Sequence, residues 1–245
     1  MSALNKQGFS SVLMHFRGCG NLKNRLPRLY HSGDTADAKA WISYLSNTYT
    51  NSKLYAVGYS MGGNMLLKLL GEYKDDSPLI SAIAVCSPMQ LDISSKTIDK
   101  GFSKLYQYHL LTHLKSSLLK KYDQYDMESI IGLKKENIAK INSIWEFDHL
   151  YTAKIFGFGT AKEYYKQSSA KQYLKDITIP TLIIHALDDP FMDKTVLPNN
   201  DEISKSIILE VYPNGGHVGF ISGSIFKPKY WLDDRIIDYF IGKEL

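Results

Sequence analysis

Little in this sequence points to a metal centre, a disulfide scaffold or a membrane span. Two cysteines, Cys19 and Cys86, are all that 245 residues contain. Neither sits in a CxxC or other metal-ligand spacing, so neither a disulfide framework nor a zinc site is implied. Reduced thiols, and with them a cytoplasmic setting, are the expectation. No apolar run is long enough for a transmembrane helix. The opening MSALNKQGFSSVLMHF lacks the basic start and apolar stretch of a signal peptide. Nor does one charge dominate: 29 Lys and Arg face 25 Asp and Glu, a net charge of +4. Scattered charge of this size argues against a nucleic-acid partner. The one dense basic stretch, 21–28 with Lys23, Arg25 and Arg28, reads as a solvated loop or as an anion site. Internal repeats and low-complexity tracts are absent.

What is present is an ordinary globular composition, 44% hydrophobic and 22% charged, in a chain long enough to bury one core without metals. A single domain over 1–245 is therefore expected. Apolar periodicity predicts strands at 9–16, 54–59, 80–86, 181–186 and 207–212, and helices at 36–49, 62–73 and 230–241. Strongly apolar strands alternating with helices predict an α/β fold, its sheet mostly parallel and covered by helices on both faces. Residues 89–179 break the rhythm with helical spacing and no strand. That is too long for a simple connection and is read as a helical insertion over the sheet edge, a cap; a helical flank without a functional role is the alternative.

The chemistry centres on YAVGYSMGGNMLLKLL, residues 55–70. A strand passes into a helix through Gly58-Tyr59-Ser60-Met61-Gly62. Such a turn lifts a serine to the carboxyl end of its strand, where open α/β sheets place their ligands. Side chains at Gly58 or Gly62 are expected to collide with their neighbours. The helix that follows points its first amides, Met61 among them, at any negative charge developing beside Ser60. Ser60 is the candidate nucleophile; a glycine-rich helix cap is the plainer reading.

A serine hydroxyl needs a base, and the base an orienting carboxylate. PTLIIHALDDPF ends an apolar strand in Asp188 and Asp189, and VYPNGGHVGF ends another in a glycine turn carrying His217. The order Ser, Asp, His is the one used by α/β-hydrolases. Ala186 stands where the common strand-end pattern has glycine, which selects Asp189, and Asp188 is then available to hold the loop through backbone amides. Both assignments stay open on sequence. His15 and His185 lie within predicted strands and read as buried, hydrogen-bonded residues. His31, in YHSGDT, either lines a pocket or makes a structural hydrogen bond. The tyrosines of 89–179 line an amphipathic pocket or pack the core.

Together HFRGCGN with NRLPRLYHSGDTAD, VGYSMGGNMLLKLLGE, WEFDHLYTAKIFGF followed by YYKQSS, IPTLIIHALDDPFM and GGHVGF run in order from about residue 14 to 220. This set resembles the α/β-hydrolase superfamily and, within it, the YheT-like branch of serine esterases (the AB hydrolase 4 family). The resemblance implies hydrolysis of carboxylic esters, with short- to medium-chain acyl groups. Ser60 would be the nucleophile, Asp189 the acid, His217 the base and Met61 an oxyanion donor, with no metal or organic cofactor. The implied partner is a small-molecule acyl ester; oligomeric state is not indicated. One departure accompanies it. Family members carry two or more strands and the His-Gly loop of the second oxyanion amide ahead of the HFRG strand, whereas only Met1 to Gly8 precede it here. The expectation is thus a hydrolase fold without its N-terminal strands. A non-catalytic homologue that binds a small apolar ligand is the competing class.

Overall fold

Aliphatic residues on successive positions can be buried only if both faces of a strand are covered, and four such segments here assemble side by side. The computed structural model describes residues 1–20, 22, 24–224 and 226–242. In chain order the elements begin with α1 (Ser2–Lys6), α2 (Ala36–Thr48), β1 (Tyr55–Tyr59), α3 (Met61–Tyr73) and β2 (Ser81–Val85). A helical run follows: α4 (Leu91–Ile98), α5 (Ser103–Tyr122), α6 (Met127–Ile131), α7 (Ile144–Phe147), a π-helical turn over Asp148–Thr152, α8 (Ala153–Ile155) and α9 (Ala161–Ser168). The chain closes with β3 (Thr181–Ala186), β4 (Ile207–Tyr212), the strands β5 (Ile221–Ser224) and β6 (Lys227–Tyr230), and α10 (Trp231–Ile241).

Strands β1 to β4 form a parallel sheet in sequence order. Its register places Gly58 beside Ala84, Ala84 beside Ile183, and Ile183 beside Leu209, so the carboxyl ends of the strands emerge along one edge. Alternation sorts the side chains. Ala82, Ala84 and Ile183 pack with Leu66, Leu67 and Leu70 of α3 on one face. Ile83, Val85, Leu182 and Ile184 pack with Leu232, Ile236 and Phe240 of α10 on the other. Each fully buried aliphatic side chain contributes about 1.5–3 kcal/mol. Asn64, fully buried in α3, ties this layer to two loops: its amide donates to Ser32 O and Ser168 O and accepts from Ala170 N, each at 2.9 Å.

The helical run has a core of its own, including Leu111, Leu118, Met127, Ile138, Phe147 and Tyr151. It grips the loop before His31. Lys121 Nζ donates to Asn24 O and Leu26 O at 2.8 and 2.6 Å, and Tyr151 OH accepts from Leu29 N at 3.0 Å. Of the basic stretch at 21–28, Asn21 and Lys23 lie outside the described residues. Arg28 sits over the Phe156 ring at 5.6 Å. No helix among the described residues is long and apolar enough to cross a membrane.

Three expectations are corrected. Residues 9–16 form no regular element and join no ladder among the described residues. Their side chains anchor them instead: Phe9 meets Tyr55 and Phe240, and Met14 and Phe16 pack on Met65, Leu69 and Tyr73. Val12 and Leu13 are left 62% and 63% exposed. A strand needs a neighbour's backbone as well as an alternating pattern, and the pattern alone is satisfied by packing. His15, on this segment, is accordingly exposed and not buried. The antiparallel pair β5–β6 adds two strands that apolar periodicity does not predict.

Candidate active site

Strand β1 ends at Tyr59 and α3 begins at Met61, which leaves one residue to reverse the chain. Ser60 does so at φ 50° and ψ −122°, a conformation costly for any residue with a side chain. Hydrogen bonds hold it there: Ser60 N–H donates to Val85 O at 2.8 Å, and its carbonyl accepts from Gly63 and Asn64 at 2.9 and 3.1 Å. A Cβ at Gly58 would lie 2.5 Å from Gly62 O and 2.7 Å from Gly63 Cα, so strand and helix touch through backbone alone. The collision expected at Gly62 is absent; nothing lies within 4 Å of a Cβ there. The crowded partner is Gly63, whose Cβ would fall 2.0 Å from Ser87 Oγ. Gly58→Ala is therefore expected to destabilise the fold by about 3 kcal/mol. Gly62→Ala should change stability by no more than about 1 kcal/mol. Urea denaturation of the two variants checks both, and equal losses would contradict the contact geometry.

The other strand ends bring their residues to the same place. His217 Nε2 lies 2.8 Å from Ser60 Oγ, and its Nδ1 lies 2.8 Å from Asp189 Oδ2. The Asp189 side chain is fully buried, and its second oxygen accepts from Phe191 N at 2.9 Å. Asp188 serves the backbone instead. Its Oδ1 accepts from Gly215 N and Gly216 N at 2.9 and 2.8 Å and pins the turn that carries His217. That turn is strained at Val218 and Phe220, both at positive φ. The Phe191 ring stands edge-on to the imidazole at 4.7 Å and stacks on Tyr106 at 4.3 Å. Met61, the first residue of α3, has an N–H without a partner inside the helix and lines the same cavity as Ser60.

Beneath this row, Cys86, His185 and Asp189 place their donor atoms within 4.8 Å of one another. The set fits a metal poorly. Both Asp189 oxygens are engaged, and burial together with the Asp189 charge pushes the Cys86 thiol up to about 12, whereas ligation needs a thiolate. Burial also lowers His185, which keeps it neutral near pH 7.

Ser60 and His217 open into a cavity of about 580 Å³ between the sheet edge and helices α4, α5 and α9. A larger depression of about 780 Å³ on the outer side of α4 and α9 contains neither residue. Tyr106, Tyr151, Tyr164 and Tyr165 line the cavity, and the last three are also buried core residues. His31 lines it too, and it serves structure as well. Its Nδ1 accepts from Gly33 N at 3.1 Å, and its ring meets Phe156, Phe158 and Tyr164 at 4.4, 5.3 and 5.4 Å. Burial, aided by the Lys68 and Arg28 charges, lowers it to about 4.

Sequence reasoning missed Asp148. This residue of the π-helical turn is the carboxylate of the cavity wall, and its Oδ2 accepts from Tyr165 OH at 2.8 Å. Burial raises its carboxyl to about 6, against hydrogen bonds from Thr152 and Tyr165 that act to lower it. The native state then holds this proton to higher pH than the unfolded chain, so stability falls as pH rises from about 4 to about 6 and stays lower above that. Asp148→Asn should remove this fall. Relative to wild type it should gain about 1–2 kcal/mol between about pH 4 and about pH 7.5, a figure discounted because the carboxylate faces the cavity. Denaturation curves at the two pH values test this, and a constant difference would contradict it.

A serine on a strand-to-helix elbow, within reach of an imidazole that is itself backed by a carboxylate, over a parallel sheet, defines the hydrolase class of α/β protein. Known proteins of similar sequence and fold agree. Residues 1–224 match the family described as alpha/beta hydrolase fold. The chain is 42% identical to YheT of Escherichia coli (strain K12), named as a candidate esterase, over 98% of this chain and 70% of that one. It is 30% identical to phospholipase ABHD3 of Mus musculus, over 96% of this chain and 56% of that one. The chain thus spans between about half and about two thirds of the length of most of the curated relatives it matches. The solved structure of the Pyrococcus furiosus esterase Pf2001 superposes with a TM-score of 0.51 at 17% identity, over 88% of this chain and 65% of that one, and shows the common fold. This chain belongs to the α/β-hydrolase fold family, in its YheT-like esterase branch.

Proposed function

We propose that the chain hydrolyses small carboxylic esters, with short- to medium-chain acyl groups, through an acyl-enzyme on Ser60. One observation carries the reading: an unbroken hydrogen-bonded row from Ser60 Oγ through His217 to Asp189, with both contacts at 2.8 Å, opening into a cavity. Names borne by relatives, a candidate esterase and a phospholipase, support esters as the substrate class.

In this mechanism His217 Nε2 accepts the Ser60 proton as Oγ attacks the ester carbonyl. Asp189 keeps the imidazole in the right tautomer and stabilises the imidazolium as it forms. The Met61 amide, at the positive end of α3, donates to the tetrahedral oxyanion. His217 returns its proton to the departing alkoxide, then activates the water that releases the acid. The steps run on these side chains and backbone amides without a cofactor. Residues 89–179 act as a cap whose inner wall shapes the ester-binding site.

A fluorophosphonate probe tests the assignment. Wild-type protein should be labelled at Ser60, and Ser60→Ala should not be labelled. Absence of labelling in folded wild-type protein would reject it.

A further inference from the structure

The cavity beside Ser60 is mostly aromatic and aliphatic, yet among the described residues its wall holds one carboxylate. Asp148 projects from the π-helical turn, and such turns, which widen a helix locally, recur at functional sites. Its Oδ2 accepts from Tyr165 OH at 2.8 Å, and the Thr152 side chain acts on the same carboxyl. A carboxylate offers about four acceptor positions. No cationic side chain forms an ion pair with Asp148 among the described residues. Arg17, the guanidinium that lines the same cavity, is held by Asp37 at 2.5 and 2.7 Å. His31, on the same wall, carries no charge near pH 7.

Packing does not require a carboxylate here. An amide oxygen would also accept from Tyr165, and an amide would avoid the cost of placing a charge in an apolar wall. What the carboxylate adds is a strong, uncommitted acceptor facing the space in which the substrate must lie. An unsubstituted acyl chain has no donor to offer it. The alcohol portion of an ester does, whenever it carries a further hydroxyl or an ammonium group.

We infer that Asp148 is a specificity-determining residue that accepts a hydrogen bond from a hydroxyl or ammonium group on the alcohol portion of the ester cleaved at Ser60. This rests on the ester reading of Ser60. It selects polyol or amino-alcohol esters over simple alkyl esters, and it works through a charge-assisted hydrogen bond with little water present to compete.

Three esters sharing one acyl chain, of methanol, glycerol and ethanolamine, test it. In wild-type protein kcat/KM should be highest for a donor-bearing ester. In Asp148→Asn the ratio of kcat/KM for that ester to kcat/KM for the methyl ester should fall about 10- to 100-fold, mostly through KM. A fall confined to the glycerol ester assigns a hydroxyl as the donor, and one confined to the ethanolamine ester assigns an ammonium. Equal losses on all three esters, the mark of a merely structural residue, would overturn the inference. A second measurement needs no variant. A 1-O-alkylglycerol ether, which cannot be hydrolysed, should inhibit wild-type protein at least about tenfold more tightly than the alkyl methyl ether of the same chain; equal inhibition would also overturn it. If Ser60 takes the fluorophosphonate and the methyl ester is cleaved, a failure here falls on Asp148 alone. If none of the three esters is cleaved, the ester reading falls with it.

Discussion

Ser60→Ala, His217→Ala and the double variant should each lose about 10⁶-fold in kcat for ester hydrolysis, with the double no worse than either single. The reason lies in the 2.8 Å contact between Ser60 Oγ and His217 Nε2. A free serine hydroxyl is a weak nucleophile at neutral pH, and a lone imidazole in this cavity has nothing to deprotonate. Removing either group therefore removes the whole step, and the remaining one contributes nothing further. Steady-state rates on a chromogenic ester, with circular dichroism to confirm folding, measure this. Losses that multiply in the double variant would mean that the two side chains act separately, against a continuous hydrogen-bonded row.

The neighbouring aspartates should separate sharply. Asp189→Asn is expected to lower kcat by about 10⁴-fold, because an amide presented to His217 Nδ1 favours the wrong tautomer and cannot stabilise the imidazolium. Its geometry leaves no substitute: the Asp189 side chain is fully buried, with one oxygen on His217 and the other on Phe191 N–H. Asp188→Asn keeps an oxygen able to accept from Gly215 and Gly216. It should cost about tenfold or less, through looser placement of the His217 turn. A pair of rate measurements decides the matter. If Asp188→Asn lost as much as Asp189→Asn, the division of labour between them would be wrong.

Much of the site is legible in the sequence because it is local. The glycine-flanked Ser60 sits on a turn that its own neighbours dictate, and Asp188-Asp189 and His217 each follow an apolar strand whose carboxyl end must join the same sheet edge. The two aspartates stay open on sequence because they are adjacent at one strand end, although Ala186 in the glycine position points to Asp189; the structure gives them different partners, His217 for Asp189 and the Gly215 and Gly216 amides for Asp188. Errors arise where the answer depends on what comes from elsewhere in the chain. Gly63, not Gly62, is the sterically required glycine because Ser87 arrives beside it. Residues 9–16 alternate like a strand, yet Phe9, Met14 and Phe16 find side-chain partners while their backbone joins no ladder. The strands β5 and β6 escape notice because ISGS and KPKY are short, fully exposed and carry no apolar alternation. Asp148 is invisible for a similar reason. Only the fold brings Tyr165, seventeen residues further on, to its carboxylate, and only the cavity reveals that this pair lines the same space as Ser60.

The most direct test of the central claim is a rapid-quench reaction of wild-type protein with a short-chain activated ester, followed by intact-mass and peptide analysis. An acyl group covalently attached to the peptide bearing Ser60, formed in a burst with the released alcohol and absent from Ser60→Ala, is the predicted result. Ester turnover with no acylated peptide, or with the acyl group on another residue, would contradict the account.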